Sequence, residues 1–106
     1  HGTGTPLGDA AEAAAIRRLL GDQVAVSSLK GALGHGLAAA GALEAVATVL
    51  AFQEGFTPGT AGCEEPDALG VRILVENEPK TPRIVVSNSF GFGGQNASLV
   101  LAAELP

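Results

Sequence analysis

The sequence predicts a mixed α/β chain. Two stretches carry helix-start and helix-stop residues around apolar side chains. Several short runs of β-branched residues lie between turn residues. The last two of these runs flank a glycine loop, the pattern of an antiparallel hairpin.

Residues 1–9, His-Gly-Thr-Gly-Thr-Pro-Leu-Gly-Asp, form a glycine- and threonine-rich loop. The first helix is expected to start there, with Asp9 as N-cap and Glu12 at the third helical position as its reciprocal partner. Ala13, Ile16 and Leu20 then share one face. Arg17 and Arg18 sit near the negative helix end, where a solvated role suffices, and Gly21 suits the C-cap. Residues 24–28 read as a short strand. Residues 26–44 run Val-Ser-Ser-Leu-Lys-Gly-Ala-Leu-Gly-His-Gly-Leu-Ala-Ala-Ala-Gly-Ala-Leu-Glu, which reads as strand, glycine-punctuated loop and helix. That helix is expected over residues 37–52, with Gly55 just past its end. Residues 71–75 and 84–88 read as strands, with a polar, proline-containing surface loop between them. Residues 89–95, Ser-Phe-Gly-Phe-Gly-Gly-Gln, form a tight loop, and residues 96–102 the last strand.

Bulk composition narrows the classes. The chain of 106 residues is one domain or part of one. A net charge of −5 leaves no electrostatic footprint for nucleic acid. No basic amphipathic helix marks a membrane surface, and no signal peptide is recognisable. One cysteine excludes an internal disulfide, and one cysteine with two histidines does not suggest a zinc cluster, so no metal site is expected. A reducing cytoplasm is the default compartment. The first residue is a histidine inside a loop motif, so the chain is expected to begin within a longer protein.

The chemistry concentrates around the central loop and helix. Residues 37–52 are apolar except for Glu44 and Thr48, which lie four apart and share a face. A helix apolar all round is normally buried, and this one asks for more cover than so short a chain can readily supply. It is short for a membrane span and interrupted by Glu44. A glutamate in a buried helix needs a cation or several donors, and Lys30 is near in sequence. His35 precedes the helix, whose positive end favours a neutral imidazole. The same residues would equally serve a capped core helix with a loop histidine. Cys63 lies among Glu64, Glu65 and Asp67, carboxylates that disfavour a thiolate nucleophile. Gly91, Gly93 and Gly94 do not match the dinucleotide fingerprint, because a strand follows them rather than a helix. They are expected to allow positive φ and close backbone approach. Phe90 is expected in the core. Phe92, flanked by glycines, is a weaker core candidate.

Three motifs now line up: residues 1–9; Lys30 through Gly34 and His35 to Gly41; and residues 88–94, Asn-Ser-Phe-Gly-Phe-Gly-Gly, with Asn96. Together they resemble the C-terminal portion of a β-ketoacyl-acyl carrier protein synthase, nearest to the elongating bacterial enzymes. Ketosynthase domains of modular polyketide synthases carry a similar His-Gly-Thr-Gly-Thr motif. The resemblance implies a thiolase-like α/β fold with helices layered between sheets. Residues 1–106 would be most of its second half, a single partial domain. It also implies decarboxylative Claisen condensation of an acyl thioester with malonyl-acyl carrier protein. His1 and His35 match the catalytic histidines, and Lys30 the supporting lysine. Glu44 matches a buried structural glutamate. Thr3 and Thr5 match residues that bind the phosphopantetheine arm. Phe92 matches the gating-loop phenylalanine, whose N–H joins an oxyanion hole. The nucleophilic cysteine would lie in the preceding half. The implied partners are acyl carrier protein and a second copy in a homodimer, with no cofactor beyond the carrier's arm. The run 58–62, Pro-Gly-Thr-Ala-Gly, departs from the family's proline-threonine-asparagine pattern.

Three other readings stand beside this one. A non-catalytic, chain-length-factor-like dimerisation partner would keep the fold but has no chemical need for His1, His35 and Lys30 together. A thiolase would place a second cysteine near the C-terminus, and the loop at Gly91–Gly94 offers none. A small-ligand-binding α/β module is the plainest alternative.

Overall fold

The computed structural model describes residues 1–104. Helix α1 spans Pro6–Leu20, strand β1 Ala25–Val26, helix α2 Lys30–Leu33 and helix α3 Ala40–Glu54. Strands β2 (Arg72–Ile73), β3 (Ile84–Phe90) and β4 (Asn96–Ala102) follow. The mixed α/β class expected from sequence is what forms. The chain divides into two compact units. One contains His1, His35–Thr57 and residues from Glu78 onward; the other contains Gly2–Gly34 and Pro58–Asn77.

In the second of these, α1 starts earlier than expected. Its N-cap is Thr5, which makes no side-chain cap bond, and Pro6 occupies the first turn. Proline suits that position because its missing N–H would have no helical partner there. Asp9 and Glu12 are therefore not a capping box. Their carboxylates turn back to the preceding loop, Asp9 Oδ1 accepting from the Gly4 N–H at 3.3 Å and Glu12 Oε2 from the Gly2 N–H at 2.9 Å. Of the expected apolar face, Ala13 is buried, Ile16 half-buried and Leu20 exposed. The helix ends as expected at Gly21, whose N–H bonds to the Arg17 carbonyl.

Strands β1 and β2 are each two residues, shorter than the five expected. They pair in parallel, Ala25 with Arg72 and Val26 with Ile73. The Leu74 N–H continues the ladder to the Val26 carbonyl, and Leu74 is buried there. Residues 30–33, expected as loop, form a single helical turn closed by the Gly34 N–H on the Lys30 carbonyl at 2.9 Å.

In the other unit, β3 and β4 form the expected antiparallel hairpin. Its register runs from Ile84 opposite Ala102 to Phe90 opposite Asn96. Strand β3 is two residues longer than expected. Side chains alternate along it, so Val85, Ser87 and Ser89 share a half-buried face. Helix α3 packs on β3. The helical run begins as a 3-10 turn, Leu37–Ala39, and ends at Gly55 in the left-handed conformation, φ 77° and ψ 30°.

The burial expected for α3 is only partly met. Ala40, Thr48 and Ala51 are buried, whereas Leu43, Val46, Val49 and Leu50 are exposed. Among the described residues β3 covers one face of the helix, and a helix apolar all round has other faces left. The run Leu37–Glu54 is two residues longer than expected, and by length and composition is long and apolar enough to cross a membrane. Its polar pair is satisfied by protein. Thr48 Oγ1 donates to the Glu44 carbonyl at 2.8 Å, and Ser87 Oγ donates to Glu44 Oε2 at 3.0 Å. A half-buried carboxylate held by a strand hydroxyl fits a packed core helix.

Loss of that hydroxyl leaves the carboxylate one donor short. Ser87→Ala is expected to lower unfolding free energy by about 1–2 kcal/mol, the range for a part-buried bond to a charged group. Denaturant unfolding of the full-length protein measures this. An unchanged midpoint would show that Glu44 does not depend on Ser87.

Candidate active site

The two histidines, 34 positions apart in sequence, come together. Their ring centroids are 5.4 Å apart, with the planes at 83°, edge to face. His1 also packs against the Phe90 ring at 5.8 Å, tilted by 57°. Phe90 closes strand β3 and is one-third exposed rather than a core residue. Its role beside His1 was not legible from sequence, where a phenylalanine before a glycine reads as core.

His35 is exposed, two residues before the 3-10 segment. Its Nδ1 accepts a hydrogen bond from the Leu37 N–H at 3.1 Å. A nitrogen that accepts carries no proton. With Nδ1 accepting, Nε2 is the ring nitrogen that can donate. Leu37 reaches this position at φ 50°, a left-handed value rare for a residue with a branched side chain. Such a conformation costs on the order of 1–3 kcal/mol and persists where the surroundings over-determine it.

Phe92 opens a short turn, Phe92–Gly94, between the hairpin strands, and its side chain is fully exposed. Gly93 and Gly94 take positive φ as expected, 77° and 78°, while Gly91 does not, at −109°. The Gly91 N–H closes the turn on the Gln95 carbonyl at 3.0 Å. Glu44 lies on α3 with Ser87, as described.

The remaining site candidates belong to the other unit. Thr3 and Thr5 lie on the loop before α1, their hydroxyl oxygens 3.4 Å apart. Lys30 is half-buried at the first position of α2. Its backbone N–H donates to Ser28 Oγ at 3.3 Å, and the same hydroxyl donates to the Gly2 carbonyl at 2.7 Å. Sequence reading passed over Ser28, because a serine ending a strand carries no motif of its own. Cys63 is a free, half-buried thiol whose backbone N–H bonds to the Thr60 carbonyl. No group of three or more metal-ligating side chains occurs among the described residues.

Residues 1–64 match the family model described as Beta-ketoacyl synthase, C-terminal domain. The chain belongs to the β-ketoacyl synthase family. It is 46% identical over 104 residues to 3-oxoacyl-[acyl-carrier-protein] synthase 1 of Escherichia coli (strain K12), covering 95% of this chain and 26% of that protein. It is 49% identical over 107 residues to 3-oxoacyl-[acyl-carrier-protein] synthase 2 of Coxiella burnetii, covering 96% and 26%. Nodulation protein E of Rhizobium leguminosarum bv. trifolii is 47% identical over 103 residues, covering 93% and 26%. The chain thus spans about a quarter of the length of these curated relatives.

The His35 bond makes a spectroscopic expectation. Long-range proton–nitrogen spectra of the full-length protein at neutral pH should show His35 with a bare, accepting Nδ1 and its hydrogen on Nε2. A proton on Nδ1 would mean that the Leu37 N–H does not hold the ring.

Proposed function

We propose that this chain is the C-terminal catalytic part of a 3-oxoacyl-acyl carrier protein synthase, in which two neutral histidines stabilise an enolate. The observation that carries this is the His1–His35 pair, with His35 Nδ1 taken up by the Leu37 N–H and Nε2 the ring nitrogen that can donate. Family membership and the names of the relatives support it.

The reaction divides into two halves. A cysteine elsewhere in the longer polypeptide takes an acyl group from the carrier, and its thioester oxygen gains charge in doing so. Backbone N–H groups, that of Phe92 among them, suit this first oxyanion. Malonyl-carrier then enters. Its carbon–carbon bond to the carboxylate breaks, carbon dioxide leaves, and the electron pair passes to the thioester as an enolate. Donors from His1 and His35 face that carbonyl oxygen. The carbanion attacks the acyl thioester, a carbon–carbon bond forms, and the cysteine leaves as thiolate. Lys30 has a supporting electrostatic role in this reading, and Glu44 a structural one within α3. Thr3 and Thr5 offer hydroxyls to the phosphopantetheine arm. The substrates arrive on acyl carrier protein, and the reaction needs no other cofactor.

The same proposal extends to architecture. The chain forms most of the second half of a thiolase-like layered fold, in a homodimeric cytoplasmic enzyme. The exposed leucines and valines of α3 support it, since layers on further faces would bury them.

His35→Ala in the full-length protein tests the assignment. Loss of one enolate donor costs on the order of 3 kcal/mol in the barrier. Carbon dioxide release from malonyl-carrier should fall about a hundredfold or more, while acyl-enzyme still forms by intact mass. Lost acylation with surviving decarboxylation would instead make His35 the group that activates the thiol. Cys63→Ser should leave condensation near wild type; a comparable hundredfold loss, about the scale of one strong catalytic group, would place the nucleophile in the acidic loop.

A further inference from the structure

We propose that Ser28 is a positioning residue for the condensing site, its one hydroxyl holding the backbone beside His1 and the backbone of Lys30 together. This rests on the functional reading above for its catalytic consequence, and on geometry alone for its structural one.

The hydroxyl is used in both directions. It donates to the Gly2 carbonyl at 2.7 Å and accepts from the Lys30 N–H at 3.3 Å. A serine hydroxyl has one hydrogen to give and lone pairs to receive, so both bonds can stand at once. The Gly2 carbonyl is one peptide removed from the His1 side chain. The Lys30 N–H is one of the orphan donors at the start of α2. Two loops that carry family-motif side chains therefore share one anchor, and neither anchor atom belongs to those side chains.

Gly2 is pinned from its other side as well, since its N–H donates to Glu12 Oε2 at 2.9 Å. Its backbone lies so close to Ser28 that an added Cβ would stand 2.8 Å from the serine Cβ and 3.0 Å from its Oγ. Gly2 also has φ 46°, so only glycine serves here without strain. The close approach is what lets so short a side chain reach the carbonyl. Ser28 is itself held from behind. Its N–H donates to Thr60 Oγ1 at 3.3 Å, and the Thr60 N–H bonds to the Leu74 carbonyl at 2.8 Å. Leu74 is buried beside the β1–β2 pair. The anchor thus runs from the packed strands outward to the peptide that follows His1.

A plain capping role would predict something different. A serine that only capped α2 would affect Lys30 and leave the His1 loop unchanged. A serine acting on both should free the Gly2 carbonyl as well as the Lys30 N–H and slow the step that uses His1, without slowing acyl transfer.

The test compares wild type, Ser28→Ala and Ser28→Thr in the full-length protein. Amide hydrogen exchange is read at Lys30, and the carbonyl carbon shift of Gly2 reports the other bond. Acyl-enzyme formation and carbon dioxide release from malonyl-carrier are read alongside. Ser28→Ala should exchange about tenfold faster at Lys30, move the Gly2 carbonyl shift and decarboxylate about tenfold slower, with acylation unchanged. Ser28→Thr, which keeps the hydroxyl, should restore all three readouts. An unmoved Gly2 carbonyl shift, an equal fall in both chemical steps, or a folded Ser28→Thr that restores nothing would overturn the proposal. If Ser28→Ala does not fold, Ser28→Thr decides: wild-type exchange, carbonyl shift and step ratio support it, and any other result overturns it. A wild-type protein with no condensing activity would sink the functional reading, and the Lys30 exchange and Gly2 carbonyl shift would then decide the structural claim by themselves.

Discussion

The hydrogen bond from the Leu37 N–H to His35 Nδ1 is the constraint on which the site depends. It sets which nitrogen of the ring can donate. It also couples that choice to the start of the helical run, because Leu37 opens the 3-10 turn that feeds α3. The backbone accepts a left-handed leucine to make it. An Nδ1 that accepts from the backbone is taken up, which suits the proposed role of Nε2 as a donor to an oxygen that gains charge. The neighbouring His1 ring, seated against Phe90, completes a pair of imidazoles.

Short polar side chains do most of the holding. Ser87 reaches the Glu44 carboxylate, Thr48 returns to its own helix, and Ser28 ties two loops. Asp9 and Glu12 grip the loop that begins with His1 through N–H groups of Gly4 and Gly2. Except for the longer Glu12, these side chains are compact and lose little freedom when fixed, so the cost of ordering is small against the bond gained. A chain with few large aromatic residues can position a site in this way, using the backbone as the rigid part.

The hairpin and the two long helices were legible in the sequence because each is local. Residues 96–102 are an apolar-rich run that follows the turn glycines, and α3 ends at a glycine with left-handed φ. The short parallel pair was legible only as two separate runs, since pairing Ala25 with Arg72 is a long-range event that no local pattern encodes. Asp9 and Glu12 misled because the capping-box spacing is indistinguishable from two carboxylates that turn outward to a glycine loop. Proline at residue 6 was the better signal for the helix start. Of the site candidates, His1, His35 and Lys30 stood out by type and by motif. Leu37, Phe90 and Ser28, which contact them, did not. Two of these act through backbone geometry or a single hydroxyl, and the third is a phenylalanine at a strand end.

The central claim is that two neutral imidazoles meet the carbonyl oxygen of the malonyl thioester. The most direct measurement is a crystal structure of the full-length protein, with its nucleophile replaced, bound to a non-cleavable malonyl thioester analogue. Nε2 of His1 and Nε2 of His35 should each lie about 2.7–3.2 Å from that oxygen, with the Leu37 N–H still on His35 Nδ1. A carbonyl oxygen held by backbone N–H groups alone, with either ring turned away from it, would contradict the claim.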